Sequence, residues 1–444
     1  MRQLREQYPH ELVVIGVHSA KFPTEKLTAN IRAAVIRHGI QHPVVNDADF
    51  TVWSQYGVRA WPTTIVVDPL GKVVGQQMGE MEAEHVAAFI DMLIADFKAQ
   101  GILDQTPLPE VQSKVIQGSG RLLQHPSKLL YTPGDRLFIA DTGHHRVVEV
   151  QLSLDGLSGE MIRIFGSGTP GLQDGKIAQA QFHAPHGLAL RGATLYVADT
   201  ENHAIRAIDL VREQVHTVAG TGQKARGLAV RSAAPTAMNL RSPWALAVLE
   251  EMLWIAMAGS HQLWVLVRED QLGVFAGTGA EALVDGRRSE ASFTQPSDLA
   301  LTMGHLFVAD AEASAIRALP LDDASQVSTL VGQGLFTFGD TDGVGAAVRL
   351  QHPMGLAADD RLLYIADSYN HKIKTLDPVT REVQTLIGTG AAGDDDGNFQ
   401  QARLFEPEGL VLADERIYIA DTNNHKIRMA DLRTQQVHTI QLRN

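Results

Sequence analysis

The 444-residue chain contains no cysteine. Disulfide bonds, a thiolate nucleophile, cysteine-ligated zinc and dithiol redox chemistry are therefore excluded for the sequence as written. Basic residues are in deficit as well, because 38 Lys and Arg face 51 Asp and Glu, a net charge of −13. Binding to a phosphate backbone uses the opposite excess, so we expect no nucleic-acid partner.

Long apolar runs are also missing. None approaches the roughly 18 residues that a membrane-spanning helix needs, and the start of the chain, MRQLREQYPH, has no signal-peptide core. We therefore predict a cytoplasmic protein without a membrane partner. Aromatic residues make up only 6%, whereas the 39 glycines favour a fold with many tight turns.

One unit recurs six times after residue 115. In each copy a proline has Leu or Phe three positions before it and Leu three positions after it; these are Pro126, Pro185, Pro243, Pro296, Pro353 and Pro407. Each copy reads as four short strands, of which the second is a run such as LYVAD at 195–199. Four-stranded units repeating every 53–59 residues predict a six-bladed all-β propeller over 113–444.

Two segments compete for the outer strand of the last blade. Both 113–120 (SKVIQGSG) and 436–440 (QVHTI) resemble the fourth strand of a unit. The sequence therefore leaves open which terminus closes the ring.

Several of the repeated segments resemble a known motif. The stretches 199–205 (DTENHAI), 367–373 (DSYNHKI) and 421–427 (DTNNHKI) are similar to the NHL repeat. Blade 3 departs from it by having Met257 in place of the Asp, and blade 4 by having Ser314 in place of the His. The propeller is therefore identified as an NHL-repeat propeller.

Residues 1–100 have the alternating α/β pattern of a different domain, and 101–112 reads as a linker. The segment YGVRAWPTTIVVDPLGKVV at 56–74 resembles thioredoxin-like domains. A thioredoxin-like domain followed by NHL repeats resembles the NHL repeat-containing protein 2 family. That resemblance implies a cis-proline loop at Trp61, Pro62 and Thr63.

The resemblance also implies that this domain is incomplete as written. In the family, a first strand and a cysteine-containing turn precede the helix whose end resembles residues 2–8 here. We therefore expect Met1 to be a truncated or miscalled start. The absent strand would lie centrally, between the strands at 11–18 and 63–68, so the edge of each strand that faces it is expected to lack a partner.

The repeated polar residues invite a catalytic interpretation, which we do not favour. They are Asp141, Asp199, Asp310, Asp367 and Asp421, with His145, His203, His261, His371 and His425 at the matching position four residues after the strand end. Catalysis needs one constellation, so residues shared by most blades are expected to hold the fold. We predict that the Asp binds backbone N–H groups of the turn that follows and that the His bonds between blades.

Other repeated residues receive the same interpretation. A cation seven residues after the Asp, such as Arg206, is expected to pair from blade to blade rather than to bind an anion. The Asp-Gly pairs, such as Asp174-Gly175, are expected to be turns between blades. The stretch 388–393 fits G-x-G-x-x-G, but no helix follows it and we expect no nucleotide site there. The acidic stretches 340–343 and 394–397 do not continue into the terminal Glu of a calcium loop, so we expect no calcium site.

We expect the functional residues at positions where the six repeat units carry different side chains. The residue after each proline should lie at the mouth of the channel, and these six are the predicted binding site: Ser127, His186, Trp244, Ser297, Met354 and Glu408. Such a mouth suits a protein or peptide partner, or a small ligand. Blade 3, which has three tryptophans and no Asp-Gly turn before it, is the predicted partner-facing surface.

Three functions remain open from the sequence. The first is a monomeric interaction scaffold without catalytic residues, metal or cofactor. The second is a thiol–disulfide oxidoreductase whose cysteine motif lies upstream of Met1. The third is a metal-dependent propeller hydrolase or lyase, with His125, His186 and His352 as the histidines available to it.

Overall fold

A computed structural model describes residues 1–79, 81, 83–106, 120–227, 234–322 and 326–444. The chain divides into two compact units, Met1–Ser119 and Gly120–Asn444. The predicted linker and the strand-like segment 113–120 fall largely outside the described residues. Within the described ranges, no helix is both long enough and apolar enough to cross a membrane.

The first unit is an α/β domain of short elements. Its helices are α1 (Arg2–Gln7), α2 (Thr28–Arg37), α3 (Thr51–Gln55) and α4 (Ala83–Ala99). Its strands are β1 (Gly16–His18), β2 (Val44–Asn46), β3 (Thr63–Val67) and β4 (Val73–Met78). Helices α1 and α4 bury a small core around Leu4 and Tyr8. The Tyr8 hydroxyl donates a hydrogen bond to Asp91 across 2.8 Å, which fixes the two helices to each other.

The strands of this unit form two separate pairs. Strand β1 pairs in parallel with β2, and β3 pairs antiparallel with β4; among the described residues no strand joins β1 to β3. The strand expected over 11–18 is formed only at its end, and Val13 and Ile15 before it are 52% and 57% exposed. An apolar strand without a partner on its inner side has little to hold it in extended form. Among the described residues, β1 and β3 each pair on one side only, with β2 and β4, so the two facing strand edges lack a partner as expected.

The second unit is a six-bladed β-propeller, as predicted. The inner strands of blades 1 to 6 are Pro126–Thr132, Pro185–Arg191, Pro243–Leu249, Pro296–Thr302, Pro353–Ala358 and Pro407–Ala413. The second strands are Arg136–Asp141, Thr194–Asp199, Met252–Met257, His305–Asp310, Leu363–Asp367 and Arg416–Asp421. The third strands are Arg146–Leu152, Ala204–Asp209, Gln262–Val267, Ala315–Pro320, Lys372–Asp377 and Lys426–Asp431. The outer strands are Ser158–Phe165, Gln214–Ala219, Gln271–Ala276, Gln326–Val331, Glu382–Ile387 and Gln436–Thr439.

Five of the six sheets carry a short fifth strand outside the outer strand. In blades 2, 4, 5 and 6 the segment that enters the blade supplies it, antiparallel to the outer strand, as Gly175–Lys176, Gly286–Arg287, Gly343–Val344 and Gly397–Asn398. In blade 1 the C-terminal strand Gln441–Arg443 takes this place and runs parallel to Ser158–Phe165. The C-terminus therefore fills both the outer strand of blade 6 and the edge of blade 1.

The propeller core lies between blades rather than within them. Six clusters of buried apolar side chains each join two neighbouring blades, including blades 6 and 1. Near the axis the inner strands approach closely. A Cβ atom on Gly409 would lie only 2.1 Å from the carbonyl oxygen of Ser127, so this position of blade 6 tolerates no side chain.

Candidate functional site

The repeated aspartates end the second strands and are fully buried. Each accepts a backbone N–H from the loop before the inner strand of its own blade; in blade 6, Phe405 N lies 2.7 Å from Asp421 Oδ1. The prediction that the donors lie in the turn after the Asp was wrong. The sheet register places Pro407 opposite Asp421, so the loop before the proline is the nearer source of N–H groups.

Two further bonds of the repeat run from one blade to the next. The hydroxyl of Thr200 donates to the carbonyl of Pro243 at 2.7 Å, and Nδ1 of His203 accepts the N–H of Ser242 at 3.1 Å. The histidine bond recurs in blades 1, 5 and 6, at His145, His371 and His425. The predicted bonding between blades is therefore confirmed.

Blade 4 makes the same two bonds with different residues. Ser314 stands in place of the histidine, and its Oγ accepts the N–H of His352 at 3.2 Å. Ala311 stands in place of the threonine, and Ser297, from the predicted mouth, supplies the hydroxyl instead by donating to Pro353 O at 2.8 Å. Blade 4 therefore keeps both bonds although the residues differ.

These histidines act as neutral acceptors. A ring nitrogen that accepts an N–H must be unprotonated. Burial lowers the pKa of His145, His371 and His425 to about 4 and lowers that of His203 as well. They therefore stay neutral near pH 7, which fits a role in holding the ring.

The buried cations of the third strands bind within their own blade. Arg206 lies 2.8 Å from Asp199 and 2.7 Å from Asp174, which belongs to the segment entering the same blade. Asp174 also accepts the backbone N–H and hydroxyl of Thr217 on the outer strand. The predicted pairing from blade to blade was wrong, because this set attaches the entering segment to its own sheet. It recurs as Arg317–Asp285, Lys374–Asp342 and Arg428–Asp396.

The structure places the six predicted mouth residues at the same end of the ring, each directly after the proline that begins an inner strand. Trp244 is half-buried and the other five are buried. Ser127 and Ser297 bond to the protein itself, since Ser127 Oγ lies 2.6 Å from Thr142 Oγ1. The rings of His186 and Trp244 contact each other with centroids 4.2 Å apart. The side chains that distinguish the mouth are therefore those of the pair His186 and Trp244, together with those of Met354 and Glu408.

An ion pair one position further along these strands spans the axis. Lys128 of blade 1 reaches Asp298 of blade 4, on the opposite side of the ring, with Nζ 2.9 Å from Oδ2. Its ammonium also donates to the carbonyls of Met354 and Glu408 in blades 5 and 6. Both side chains are buried, so protein fills the axis at this depth. Burial raises the pKa of Asp298, and the ammonium of Lys128 opposes that rise.

Sequence reasoning missed this pair, although a signal existed. The six residues at this position are Lys128, Gly187, Ala245, Asp298, Gly355 and Gly409. Four are small, and the two that are charged have opposite signs and lie three blades apart. In a ring of six, that spacing places them across the axis from each other.

The histidines considered for a metal have separate partners. His125 packs on His425, His186 on Trp244, and His352 on Tyr369. No group of three His, Asp or Glu side chains with metal-holding geometry occurs in the described part of the chain. The third function therefore gains no support from the arrangement of these side chains.

The predicted cis-proline loop lies in the first unit. The peptide bond between Trp61 and Pro62 is cis. The Trp61 indole donates to the carbonyl of Ser19 at 2.7 Å and packs on Trp53 with ring centroids 4.5 Å apart, while Thr63 Oγ1 donates to Ala60 O at 2.6 Å. Trp61 is nevertheless 45% exposed, so the loop presents an aromatic surface to solvent.

No protein-family model matches the chain. Comparison with curated proteins gives clear relatives: NHL repeat-containing protein 2 of Gallus gallus is 39% identical over 485 residues, covering 100% of this chain and 65% of that protein. The chain resembles NHL repeat-containing protein 2. Protein SUPPRESSOR OF QUENCHING 1, chloroplastic, of Arabidopsis thaliana is 43% identical over 439 residues, covering 94% of this chain and 41% of that protein.

The chain thus spans less than two thirds of the length of NHL repeat-containing protein 2 and of the plant protein. A shorter similarity supports the nature of the first unit. Thiol-disulfide oxidoreductase ResA of Halalkalibacterium halodurans is 31% identical over 93 residues, covering 21% of this chain and 51% of that protein. The α/β fold of the first unit is consistent with this thioredoxin-like similarity. The cytoplasmic location stays a prediction.

Proposed function

We propose that the chain is an interaction scaffold whose propeller binds a protein or peptide partner at the mouth. The observation that carries the proposal is a contrast between two kinds of position in the blades: those that repeat and bond within the protein, and those that vary from blade to blade. The repeated Asp, Thr or Ser, and His residues bond within and between blades, as Asp199, Thr200 and His203 do in blade 2. The mouth positions carry different side chains in different blades, which suits recognition of one partner.

The axis supports binding on a surface rather than passage through a pore. The Lys128–Asp298 pair lies directly below the mouth and crosses the ring. A partner at the mouth would therefore rest on a closed floor. Trp244, half-buried beside His186, is a suitable anchor because aromatic residues dominate the binding energy of many interfaces.

The test uses the full chain with Trp244→Ala and Glu408→Ala together. The matched control, Val379→Ala with Glu382→Ala, changes an exposed pair at the hairpin between the third and outer strands of blade 5. Wild type, control and mouth variant are each used to capture partner proteins. A protein that wild type and control recover, and that the mouth variant recovers at least tenfold less, is purified. Its affinity for each of the three is then measured by calorimetry. Unchanged calorimetric affinity for the mouth variant, with an unchanged melting temperature, would discard this site.

A second candidate function is thiol–disulfide exchange with cysteines supplied from outside these 444 residues. The cis Trp61–Pro62 bond and the similarity to ResA favour it. The test is to read the genomic DNA in frame upstream of Met1. A pair of cysteine codons there supports this candidate, and a stop codon directly before Met1 removes it.

A further inference from the structure

The junctions between neighbouring blades differ in the role that one residue plays at each of them. At the junctions 1–2, 2–3, 5–6 and 6–1, a histidine ring nitrogen accepts a backbone N–H of the next blade. The four histidines are His145, His203, His371 and His425, and the N–H groups belong to Ala184, Ser242, Glu406 and His125. We call these four the acceptor junctions. The two junctions of blade 4, with blades 3 and 5, are built differently.

The junction between blades 3 and 4 reverses the hydrogen bond. His261 stands at the position of the other histidines, but its Nδ1 contacts the carbonyl oxygen of Thr294. A carbonyl oxygen can only accept, so this histidine donates. The reason lies in blade 4, where Asp310 Oδ1 accepts the backbone N–H groups of both Thr294 and Gln295, each at 2.8 Å. The N–H group that a histidine accepts elsewhere is therefore already bonded here.

The junction between blades 4 and 5 contains no histidine acceptor, because Ser314 Oγ takes that role toward the N–H of His352. A serine hydroxyl gains no charge in mild acid, whereas a histidine ring gains a proton and can then no longer accept at that nitrogen. Protonation thus removes the bond at the acceptor junctions. It strengthens the donor role of His261, because a charged donor makes the stronger hydrogen bond. It leaves the bond of Ser314 unchanged.

We propose that the propeller ring is an acid-sensitive closure: mild acid loosens the four acceptor junctions and leaves blades 3, 4 and 5 joined to one another. The acceptor junctions are consecutive around the ring, so blades 6, 1 and 2 lose the histidine bond on both sides. This opening is a property of the ring itself and needs no partner at the mouth.

The ionisation of these histidines agrees in direction. Burial lowers the pKa of His145, His371 and His425 to about 4 and lowers that of His203 as well. Because the folded-state pKa lies below the ordinary 6.5, the stabilisation is complete above pH 6.5 and is lost as the pH falls toward 4.

Charged neighbours modify the effect of burial at three of the four histidines. The groups that oppose protonation are His144 and His183 beside His145, Lys224, Arg241 and His183 beside His203, and Arg121 and His144 beside His425. The groups that favour it are Asp141 beside His145 and His425, and Glu201 beside His203.

His371 has simpler surroundings. Its ring packs on Phe405, and the main chain of Ser368 favours its protonation. The carboxylate of Glu406, the residue whose N–H it accepts, is bonded to Asn423 at 2.8 Å. The junction between blades 5 and 6 is therefore the best one to test.

The experiment measures amide hydrogen exchange at single residues of the full chain, at pH 7.5 and pH 5, divided by the intrinsic exchange rate at each pH. With a pKa of about 4 for His371 in the closed junction and 6.5 in the open one, protection of the Glu406 amide should fall about thirtyfold. Protection of the His352 amide, which bonds to Ser314, should change less than threefold.

Two reciprocal variants exchange the acceptors. His371→Ser should reduce the change at Glu406 to less than threefold, and Ser314→His should make the His352 amide acid-sensitive by at least tenfold. The control is His38→Ser in the first unit, which removes a histidine whose pKa is also about 4 and should leave the thirtyfold fall at Glu406 intact. All variants keep the strand-end aspartates, so the titration of those groups cancels.

Two results would overturn the proposal. Equal falls at Glu406 and His352 in the wild type would show that acid opens the ring regardless of the acceptor. A fall at Glu406 that persists in His371→Ser would show that this histidine does not sense the pH, and this result decides the matter even where Ser314→His does not fold. No partner takes part in these measurements, so this proposal and that of the mouth fail independently.

Discussion

The ends of the second strands and the axis of the ring differ in how closely the blades resemble one another. Where the second strands end, blades 1, 2, 4, 5 and 6 repeat the same buried bonds. Blade 4 makes two of them with exchanged residues, Ser297 and Ser314. At the axis, equivalent positions hold residues as different as Lys128 and Gly409. The difference teaches that repetition marks the bonds that hold the ring, which blades 1, 2, 4, 5 and 6 share. A position that varies is either used once for structure, like the ion pair, or open to recognition, like Trp244.

The largest expected effect tests whether the axis carries structure as well as recognition. Lys128→Met leaves Asp298 buried without its cation, and removing one partner of such a pair costs about 3–5 kcal/mol of unfolding free energy. Lys128→Met combined with Asp298→Leu should recover most of this loss, because both charges are gone. Urea denaturation of the two variants measures it. Equal stability of the single variant and wild type would show that the pair is dispensable.

The second prediction removes the buried Asp at the end of the second strand of blade 6. Asp421→Ala removes the acceptor of Phe405 N and a partner of the buried Arg428, and should cost about 2–4 kcal/mol. Asp421→Met with Arg428→Trp introduces the residues that blade 3 has at these positions, Met257 and Trp264, and should cost clearly less, because both buried charges are then gone. A double variant less stable than Asp421→Ala would contradict this explanation.

The third prediction replaces one acceptor by another that the ring already uses. His371→Ser copies blade 4 and should cost about 1–2 kcal/mol near pH 7.5. The folded-state pKa of His371, about 4, lies below the ordinary 6.5 of the unfolded chain. Its stabilisation is therefore present above pH 6.5 and lost as the pH falls toward 4.

The stability difference between wild type and His371→Ser should therefore shrink by about 1–2 kcal/mol between pH 7.5 and pH 5. Both proteins carry the same buried aspartates, so their titration cancels in the difference. Thermal unfolding at several pH values gives the curve. A difference that is constant with pH would mean that folding leaves the pKa of His371 unchanged.

The smallest expected effect concerns the exchanged hydroxyl of blade 4. Ser297→Ala removes the bond to Pro353 O and should cost about 1 kcal/mol. Adding Ala311→Thr restores the hydroxyl at the position used by blades 1, 2 and 6 and should return most of the loss. Chemical denaturation measures both variants, and no recovery would show that the two hydroxyl positions are not equivalent.

The sequence predicted the propeller because its blades depend on local patterns that repeat. Strand positions, the number of blades and the histidine bonds between blades follow from residues at fixed spacing, such as His203 after Asp199. Arg206 was predicted to pair with a neighbouring blade, whereas it pairs with Asp199 and Asp174 of its own blade. Spacing does not show that an entering segment folds back on its own blade. The Lys128–Asp298 contact joins residues 170 positions apart, and only the closed ring brings them together.

Closure of the ring depends on contacts between blade 1 and residues that are synthesised about 300 positions later. Thr422 donates to the carbonyl of Pro126 from 296 positions away, and Gln441–Arg443 completes the sheet of blade 1. Blade 1 therefore keeps one apolar flank and one sheet edge open until residues 441–443 have been synthesised. A nonsense mutation between codons 422 and 441 would leave the contact between blades 6 and 1 incomplete, and exposed apolar surfaces and sheet edges of this kind attract chaperones and proteases.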